Sequence, residues 1–166
     1  SMPSAVFAVE NHDGFHREKK YLARWDLGID DAGSAQIEEH FDQPAMKFLV
    51  RSVNHELSSD EMLKIAQKEL KGIATATHSN SSESLLEISA IGVSKGETLA
   101  KLAQRLDISA ADVITFGDNP NDISMLEWSG RSYAMATAHP DAQTAAKSIA
   151  PECNDDGVAQ ILEELI

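Results

Sequence analysis

An apolar run at residues 113–116 (Val-Ile-Thr-Phe) leads directly into the polar sequence Gly-Asp-Asn-Pro-Asn-Asp at residues 117–122. The run has the length and the β-branched content of a buried strand. Pro120 suits the first position of a helix, and Asn119 suits the N-cap before it. The segment therefore predicts a strand–turn–helix junction. It places Asp118 at the carboxyl end of a strand, where open α/β sheets bind ligands.

The polar half of this junction carries oxygen donors. Asp118, Asn121 and Asp122 offer carboxylate and amide oxygens, which are the ligands that a hard cation such as Mg²⁺ requires. The same residue types also occur as ordinary capping residues at the start of a helix. From this segment alone, a metal site and a simple structural junction both remain open.

A second segment, Ser94-Lys95-Gly96-Glu97, precedes an amphipathic pattern. Ser94 and Glu97 have the spacing of a capping box, so a helix is expected to begin here. Lys95 then lies in the first turn, where a cation opposes the helix dipole but suits a neighbouring anion. A solvated lysine beside a cap is the alternative. One buried helix face is predicted from the apolar spacing of Leu99, Leu102, Ala103 and Leu106.

Together the two segments resemble the third and fourth motifs of the haloacid dehalogenase-like hydrolase superfamily, in its Cof-type phosphatase branch. The resemblance runs through residues 85–88, 92–96, 112–126, 133–136, 145–146 and 155–159. It implies an α/β fold with two parts. A small α+β cap domain of the C2 type is expected over residues 1–88, and the C-terminal part of a Rossmann-like core over residues 89–166.

The resemblance also implies roles for individual residues. Lys95 is expected to neutralise the phosphate and an aspartyl-phosphate intermediate, and Asp118 to bind Mg²⁺ directly. Asn121 is expected to hold the phosphate, and Asp122 to support the metal from behind its direct ligands. The implied activity is Mg²⁺-dependent hydrolysis of a small phosphorylated metabolite. Such chemistry depends mainly on charges placed in advance around the transferred group.

One part of the family pattern is missing from the sequence. The nucleophilic aspartate normally stands in an Asp-x-Asp signature near the N-terminus, and this spacing does not occur here. Asp13-Gly14 and Asp30-Asp31 do not fit it either. We therefore expect a truncated chain that begins inside the cap domain and is inactive by itself. The alternative is a non-catalytic remnant or interaction module that retains the scaffold.

Charge excludes some partners. The chain has 14 basic and 27 acidic residues and a formal net charge of −13. Such a surface repels phosphate backbones and anionic membranes, so neither nucleic acid nor a membrane is an expected partner. The sequence has one cysteine, which cannot form an internal disulfide, and no apolar stretch of membrane-spanning length. A cytoplasmic protein is expected.

Periodicity and turn residues predict the remaining elements. In the first part we expect strands over residues 5–9, 46–50, 73–77 and 85–88, weak helix over 35–41, a helix that Ser58 caps, and a loop over 27–35. In the second part we expect helices over 123–128, 140–149 and 156–165 and a strand over 132–136. Lys47 and Arg51 are expected on the solvated face of a strand, and a position facing the substrate from the cap is the alternative. An incomplete core should leave an apolar edge or face uncovered, with marginal stability or a homo-oligomer as the consequence.

Overall fold

The computed structural model describes residues 2, 4–22 and 32–165. The chain divides into two units, a first unit of Ser1–Ile91 and a second unit of Gly92–Ile166. The division falls after Ile91 rather than after residue 88, because the last strand of the first unit continues to Ala90. Most of the loop predicted over residues 27–35 lies outside the described residues.

The first unit contains one antiparallel sheet. Its strands are β1 (Ala5–Asn11), β2 (Gly14–Arg17), β3 (Lys47–Ser52), β4 (Ala74–Thr77) and β5 (Leu85–Ala90). They lie in the order β2-β1-β3-β5-β4. The sequence analysis missed β2. Asn11 Oδ1 accepts the amide N–H groups of Asp13 and Gly14 at 2.9 and 3.2 Å, which closes the β1–β2 hairpin. The Asp-Gly dipeptide is a hairpin signal that could have revealed it.

Helix α1 (Ser59–Glu69) covers one face of this sheet. Its predicted capping box is confirmed, since Ser58 Oγ accepts the Glu61 amide at 3.3 Å and Glu61 Oε2 accepts the Ser58 amide at 2.9 Å. Met62 is fully buried and packs in one cluster with Leu86 of β5. The sheet and this helix therefore form an apolar core within the first unit.

The opposite face of the sheet carries paired charges. Arg51 Nη2 lies 3.4 Å from Glu83 Oε2, and the guanidinium carbon lies 5.5 Å from the ring centroid of Tyr21. Lys47 Nζ donates to Glu87 Oε2 at 2.8 Å. The prediction of a solvated face is wrong for Arg51, whose side chain is only 13% exposed. Its ion pair and its ring contact allow that burial.

The second unit contains a parallel sheet with helices. Its elements are α2 (Lys95–Arg105), β6 (Ile114–Gly117), α3 (Ile123–Trp128), β7 (Arg131–Met135), α4 (Pro140–Ala145), β8 (Ser148–Ala150) and α5 (Gly157–Glu163). The sheet order is β6-β7-β8, with α3 and α4 as the crossovers that parallel strands need. Leu126 and Ala134 are fully buried in its core. The predicted α/β fold class is confirmed.

Short 3₁₀ helices complete the described elements. They are Ile37–His40, Val53–His55, Ala110–Asp112, Pro120–Asp122 and Cys153–Asp155. The first of them stands where a weak helix was expected over residues 35–41. The described residues contain no helix with the length and apolar character that a membrane span would need.

The predicted helix over residues 140–149 is wrong at its end. The helix stops at Ala145, and Ala146 is already extended, with φ −78° and ψ 151°. The Lys147 amide then donates to Ser132 Oγ at 3.0 Å, and Ile149 pairs with Ala134 in β8 and β7. Pairing with β7 outweighs the helix propensity of the alanine-rich sequence.

The predicted buried face of α2 is confirmed for Ala103 but wrong for two of its leucines. Leu102 and Leu106 are 51% and 59% exposed, although they have the spacing of a core-facing stripe. Helix α2 packs against α3, and its buried residues are Gly96 and Ala103. The spacing of the two leucines is typical of a buried helix face, but the described residues of the second unit do not cover that face.

Candidate functional site

Strand β6, a turn and α3 form the predicted strand–turn–helix junction. The strand ends at Gly117, and Asn119 is the extended N-cap of the 3₁₀ helix Pro120–Asp122, which continues into α3. Asp118 therefore lies directly beyond the carboxyl end of a parallel strand, as predicted.

The carboxylate of Asp122 organises this turn. Its Oδ2 accepts the backbone N–H groups of Asp118 and Asn119 at 3.0 and 3.1 Å. Its Oδ1 accepts from Lys95 Nζ at 2.5 Å. Asp122 is only 3% exposed, so these donors compensate for the burial of its charge. One carboxylate thus holds both the turn and the lysine.

Lys95 reaches this carboxylate because α2 begins beside α3. Ser94 caps α2, with its Oγ accepting the Glu97 amide at 3.1 Å. The Gly96 amide donates to Ser124 Oγ at 3.0 Å, and a Cβ at Gly96 would come within 2.4 Å of the Ser124 carbonyl oxygen. Only glycine allows this approach. The sequence analysis gave no role to Gly96 or Ser124.

Gly117 is required for space. A Cβ at this position would lie 2.5 Å from Cβ of Asp122. The φ of Gly117 is not in the positive range that favours glycine, so the backbone conformation does not require a glycine here. Its absent side chain instead lets the Asp122 carboxylate fold back under the end of β6. A Gly-x-x-x-x-Asp spacing is therefore part of the site's packing.

A second loop is tied to the same turn. The amide of His139, which follows β7, donates to the Asp118 carbonyl oxygen at 2.8 Å. His139 also caps α4, since its Nδ1 accepts the Asp141 amide at 3.2 Å. The loops after two neighbouring parallel strands thus meet, as expected at the carboxyl edge of a sheet. The sequence analysis did not assign this anchoring role to His139.

The remaining oxygen donors fit a hard cation. The Asp118 residue is exposed, and its carboxylate has no hydrogen bond or ion pair with any of the described residues. Asn121 Oδ1 is buried and has no hydrogen-bond partner among the described residues. A buried acceptor without a donor is costly unless a cation or a hydroxyl group satisfies it. An oxygen-only donor set of this kind is what Mg²⁺ requires.

The structure therefore brings together all four residues that the sequence predicted for a site. Lys95, Asp118 and Asp122 are connected through one carboxylate, and Asn121 lies in the same turn. The arrangement combines an ammonium group that is 49% exposed with an exposed carboxylate. It can bind an anion through the lysine and a cation through the aspartate.

Comparisons with known proteins agree on one family. A family model for haloacid dehalogenase-like hydrolases matches residues 9–162. A relative from Bacillus subtilis (strain 168), 5-amino-6-(5-phospho-D-ribitylamino)uracil phosphatase YwtE, is 31% identical over 106 residues. These residues are 64% of this chain and 37% of the relative.

Two solved structures share the fold. A sugar phosphatase of HAD subclass IIB aligns with 98% of this chain and 61% of its own chain, at 16% identity and a TM-score of 0.76. A haloacid dehalogenase-like hydrolase from B. subtilis aligns with 98% of this chain and 66% of its own, at 22% identity and a TM-score of 0.74. This chain spans less than two thirds of each of these proteins and of the curated relative.

Proposed function

We propose, on the premise that this chain belongs to the haloacid dehalogenase-like hydrolase family, that it is the cap and C-terminal core portion of a Mg²⁺-dependent phosphatase. The first unit would be the cap and the second unit the core portion. The substrate would be a small phosphorylated metabolite of the cytoplasm. Nucleic acid is not proposed as a partner, because the net charge of −13 would repel it.

The observation that carries this proposal is the shared carboxylate of Asp122. It holds Lys95 at 2.5 Å and the Asp118 amide at 3.0 Å, so residues that are distant in sequence meet at the end of β6. Phosphoryl transfer depends mainly on the positions and charges of surrounding groups. A site that is already assembled by hydrogen bonds would not need to reorganise during the reaction.

Each residue would then have a distinct role. Lys95 would donate N–H groups to phosphoryl oxygens and offset their negative charge. Asn121 would hold the phosphate through its amide. Asp122 would position both Lys95 and the Asp118 turn without touching the substrate.

Asp118 would bind Mg²⁺ directly, and the buried Oδ1 of Asn121 offers a second oxygen. The bound ion would supply positive charge beside the phosphoryl oxygens. A strongly acidic protein needs a local source of positive charge to bind a phosphate. Lys95 alone would not suffice, because Asp122 already neutralises part of its charge. With a single direct carboxylate, we expect weak Mg²⁺ binding.

The proposed reaction proceeds through an aspartyl-phosphate, and the family's Asp-x-Asp signature has no counterpart in the sequence. We therefore expect no hydrolysis of p-nitrophenyl phosphate by this chain alone, with or without Mg²⁺. Robust Mg²⁺-dependent turnover that disappears in Asp118→Asn would contradict this expectation.

A titration of the ¹⁵N-labelled chain with Mg²⁺ and inorganic phosphate tests the site itself. We expect NMR shift changes at residues 95–96 and 117–122, and their loss in Asp118→Asn. Asp112→Asn is the matched control, because Asp112 is also exposed but precedes β6, at the opposite end of the strand. Changes spread evenly over the acidic surface, or equal in both variants, would refute the metal and phosphate site.

A second candidate function is a non-catalytic interaction module. The exposed Leu102 and Leu106 favour it, because such side chains are usual at binding surfaces. This candidate predicts no response of residues 117–122 to Mg²⁺ or phosphate. The same titration therefore distinguishes the two functions.

A further inference from the structure

The first turn of α2 is joined to the start of α3 at two points. Lys95 Nζ donates to Asp122 Oδ1 at 2.5 Å, and the Gly96 amide donates to Ser124 Oγ at 3.0 Å. Asp122 is the N-cap of α3, and Ser124 is the second residue of that helix. The ion pair belongs to the proposed site, and the second contact lies directly beside it in both helices.

The ion pair alone does not fix the position of the lysine. Its ammonium group is 49% exposed and ends a flexible aliphatic stem, which loses rotamer freedom when it is held in one place. Water also competes for an ammonium group that is half exposed. The contact between Lys95 and Asp122 therefore depends on where the backbone of the lysine is held.

The hydrogen bond from Gly96 fixes that backbone. Gly96 follows Lys95 directly and is buried, and its N–H is one of the first four of a helix, which have no acceptor within the helix itself. Ser124 Oγ supplies the acceptor from α3. Without this hydroxyl a buried N–H would be left unpaired, and the start of α2 would lose its polar contact with α3.

Close packing makes this contact rigid. The Gly96 position has no room for a Cβ, which would lie 2.4 Å from the Ser124 carbonyl oxygen and 2.9 Å from the Met125 amide nitrogen. Leu126, two residues beyond Ser124, is fully buried in the core of the second unit. The hydroxyl is thus presented by a helix that is itself anchored, so it is a fixed point for the start of α2.

A second serine at the same helix start acts differently. Ser94 Oγ accepts the Glu97 amide at 3.1 Å, so it caps α2 from within its own segment. This contact stabilises the first turn but does not orient it relative to α3. The contact of Ser124 joins α2 to the helix that follows Asp122, and so it can orient the lysine.

We propose that Ser124 is a positioning residue for Lys95. Its hydroxyl holds the first turn of α2 against α3, and this places the ammonium beside Asp122, where it can donate to a phosphate. The inference rests on the proposed function, since it concerns the phosphate of that site. Ser124 acts on the phosphate only through the Gly96 amide and Lys95.

Two variants of equal shape isolate the hydroxyl, since Ser124→Thr keeps it and Ser124→Val replaces it with a methyl group. The ¹⁵N-labelled chain is titrated with inorganic phosphate in excess Mg²⁺ and followed by NMR. Ser124→Val should raise the phosphate dissociation constant about tenfold, and Ser124→Thr should keep it within about twofold. The Mg²⁺ dissociation constant, measured without phosphate, should change less than about twofold in both, because Asp118 lies in the β6 turn and not on α2.

Ser109→Ala is the matched control, because Ser109 Oγ also accepts a backbone amide, that of Ala111 at 3.2 Å, elsewhere in the second unit. It should leave phosphate binding unchanged. Hydrogen exchange in the absence of phosphate gives a separate readout. Ser124→Val should speed exchange of the Gly96 amide and of the Lys95 ammonium protons, and Ser109→Ala should not. Ser124→Ala, which adds no atoms, replaces Ser124→Val if the larger side chain prevents folding.

Equal phosphate affinities in Ser124→Thr and Ser124→Val would overturn the inference and leave the proposed function in place. An equal loss of phosphate and Mg²⁺ affinity would also overturn it, because it would indicate a general loss of structure. If the wild-type chain binds no phosphate, the proposed function is wrong. Hydrogen exchange then decides the inference, since faster exchange of the Lys95 ammonium in Ser124→Val supports it and unchanged exchange overturns it.

Discussion

In the first unit, α1 buries Met62 completely against the sheet, whereas in the second unit α2 leaves Leu102 and Leu106 more than half exposed. Both helices begin at a capping serine, and both carry an apolar stripe at helical spacing. The difference lies in the sheet against which each helix can pack. The sheet of the first unit, on which α1 packs, has five strands. The sheet of the second unit has three strands among the described residues and ends at β6.

The polar groups of the second unit, unlike the apolar stripe of its helix α2, already have their partners. In the second unit, the Asp122 carboxylate already has its donors, although the apolar stripe of α2 lacks a partner. A hydrogen-bonded turn can form from residues close in the chain, whereas an apolar face needs a separate surface to bury it. The polar contacts of the site are therefore present in the structure although two leucines of α2 remain more than half exposed.

The largest expected effect is the difference between two apolar substitutions. Met62→Ala should destabilise the first unit by about 2–5 kcal/mol, because it leaves a cavity in a packed core. Leu106→Ala should change the second unit by no more than about 0.5 kcal/mol, because the side chain is 59% exposed. Urea unfolding followed by residue-resolved NMR measures each unit separately. Equal losses would show that the α2 stripe is covered.

The next effect concerns the shared carboxylate. Asp122→Ala should destabilise the second unit by about 2–4 kcal/mol, because it leaves two backbone amides and an ammonium without their acceptor. Asp112→Ala, an exposed carboxylate of the same unit, should have an effect of no more than about 0.5 kcal/mol. The same urea experiment compares the two variants. A loss below about 1 kcal/mol for Asp122→Ala would mean that the turn does not depend on this carboxylate.

The smallest effect tests the paired charges of the first unit. Burial alone lowers the pKa of Lys47, but the hydrogen bond and charge of Glu87 outweigh it and raise the pKa above its ordinary value of 10.5. A raised pKa means that the pair stabilises the fold below pH 10.5 and loses this contribution as the pH rises through the folded-state value. Lys47→Met should cost less than about 1 kcal/mol at pH 8, because the lysine is partly solvated.

The pH dependence separates this pair from general alkaline unfolding. The stability difference between wild type and Lys47→Met should shrink above pH 10.5. Tyr21, whose pKa burial also raises, is present in both proteins, so its contribution cancels. Lys68→Met, at an exposed position on α1, is the control for the removal of a lysine charge. A constant difference from pH 8 to pH 11 would argue against the Lys47–Glu87 pair.

Local signals predicted much of the fold. The capping serines, the strand before Gly117 and the helix starting at Pro120 each depend on a few neighbouring residues, and the structure contains all of them. Asp118, Asn121 and Asp122 could be named because a strand–turn–helix junction fixes where its polar residues lie. Lys95 lies outside this junction, at the start of α2, and was added because its segment resembles a motif of the family. The roles proposed for them remain predictions.

Features that depend on distant partners were missed. Strand β8 forms because β7 lies beside it, and its alanine-rich sequence alone favours a helix. The spacing of Leu102 and Leu106 predicted burial, but periodicity does not show whether a covering surface exists. Gly96 and Gly117 have close-packing roles that only the positions of Ser124 and Asp122 reveal.

The central claim is that the Lys95 ammonium and the Asp118 carboxylate belong to one site for a phosphate and a metal. A crystal structure of the chain grown with Mg²⁺ and inorganic phosphate tests it most directly. We predict an ion bound to the Asp118 carboxylate and a phosphate within hydrogen-bond distance of Lys95 Nζ. Two separate binding positions that share no ligand, or a lysine and an aspartate that face different sides of α3, would contradict it.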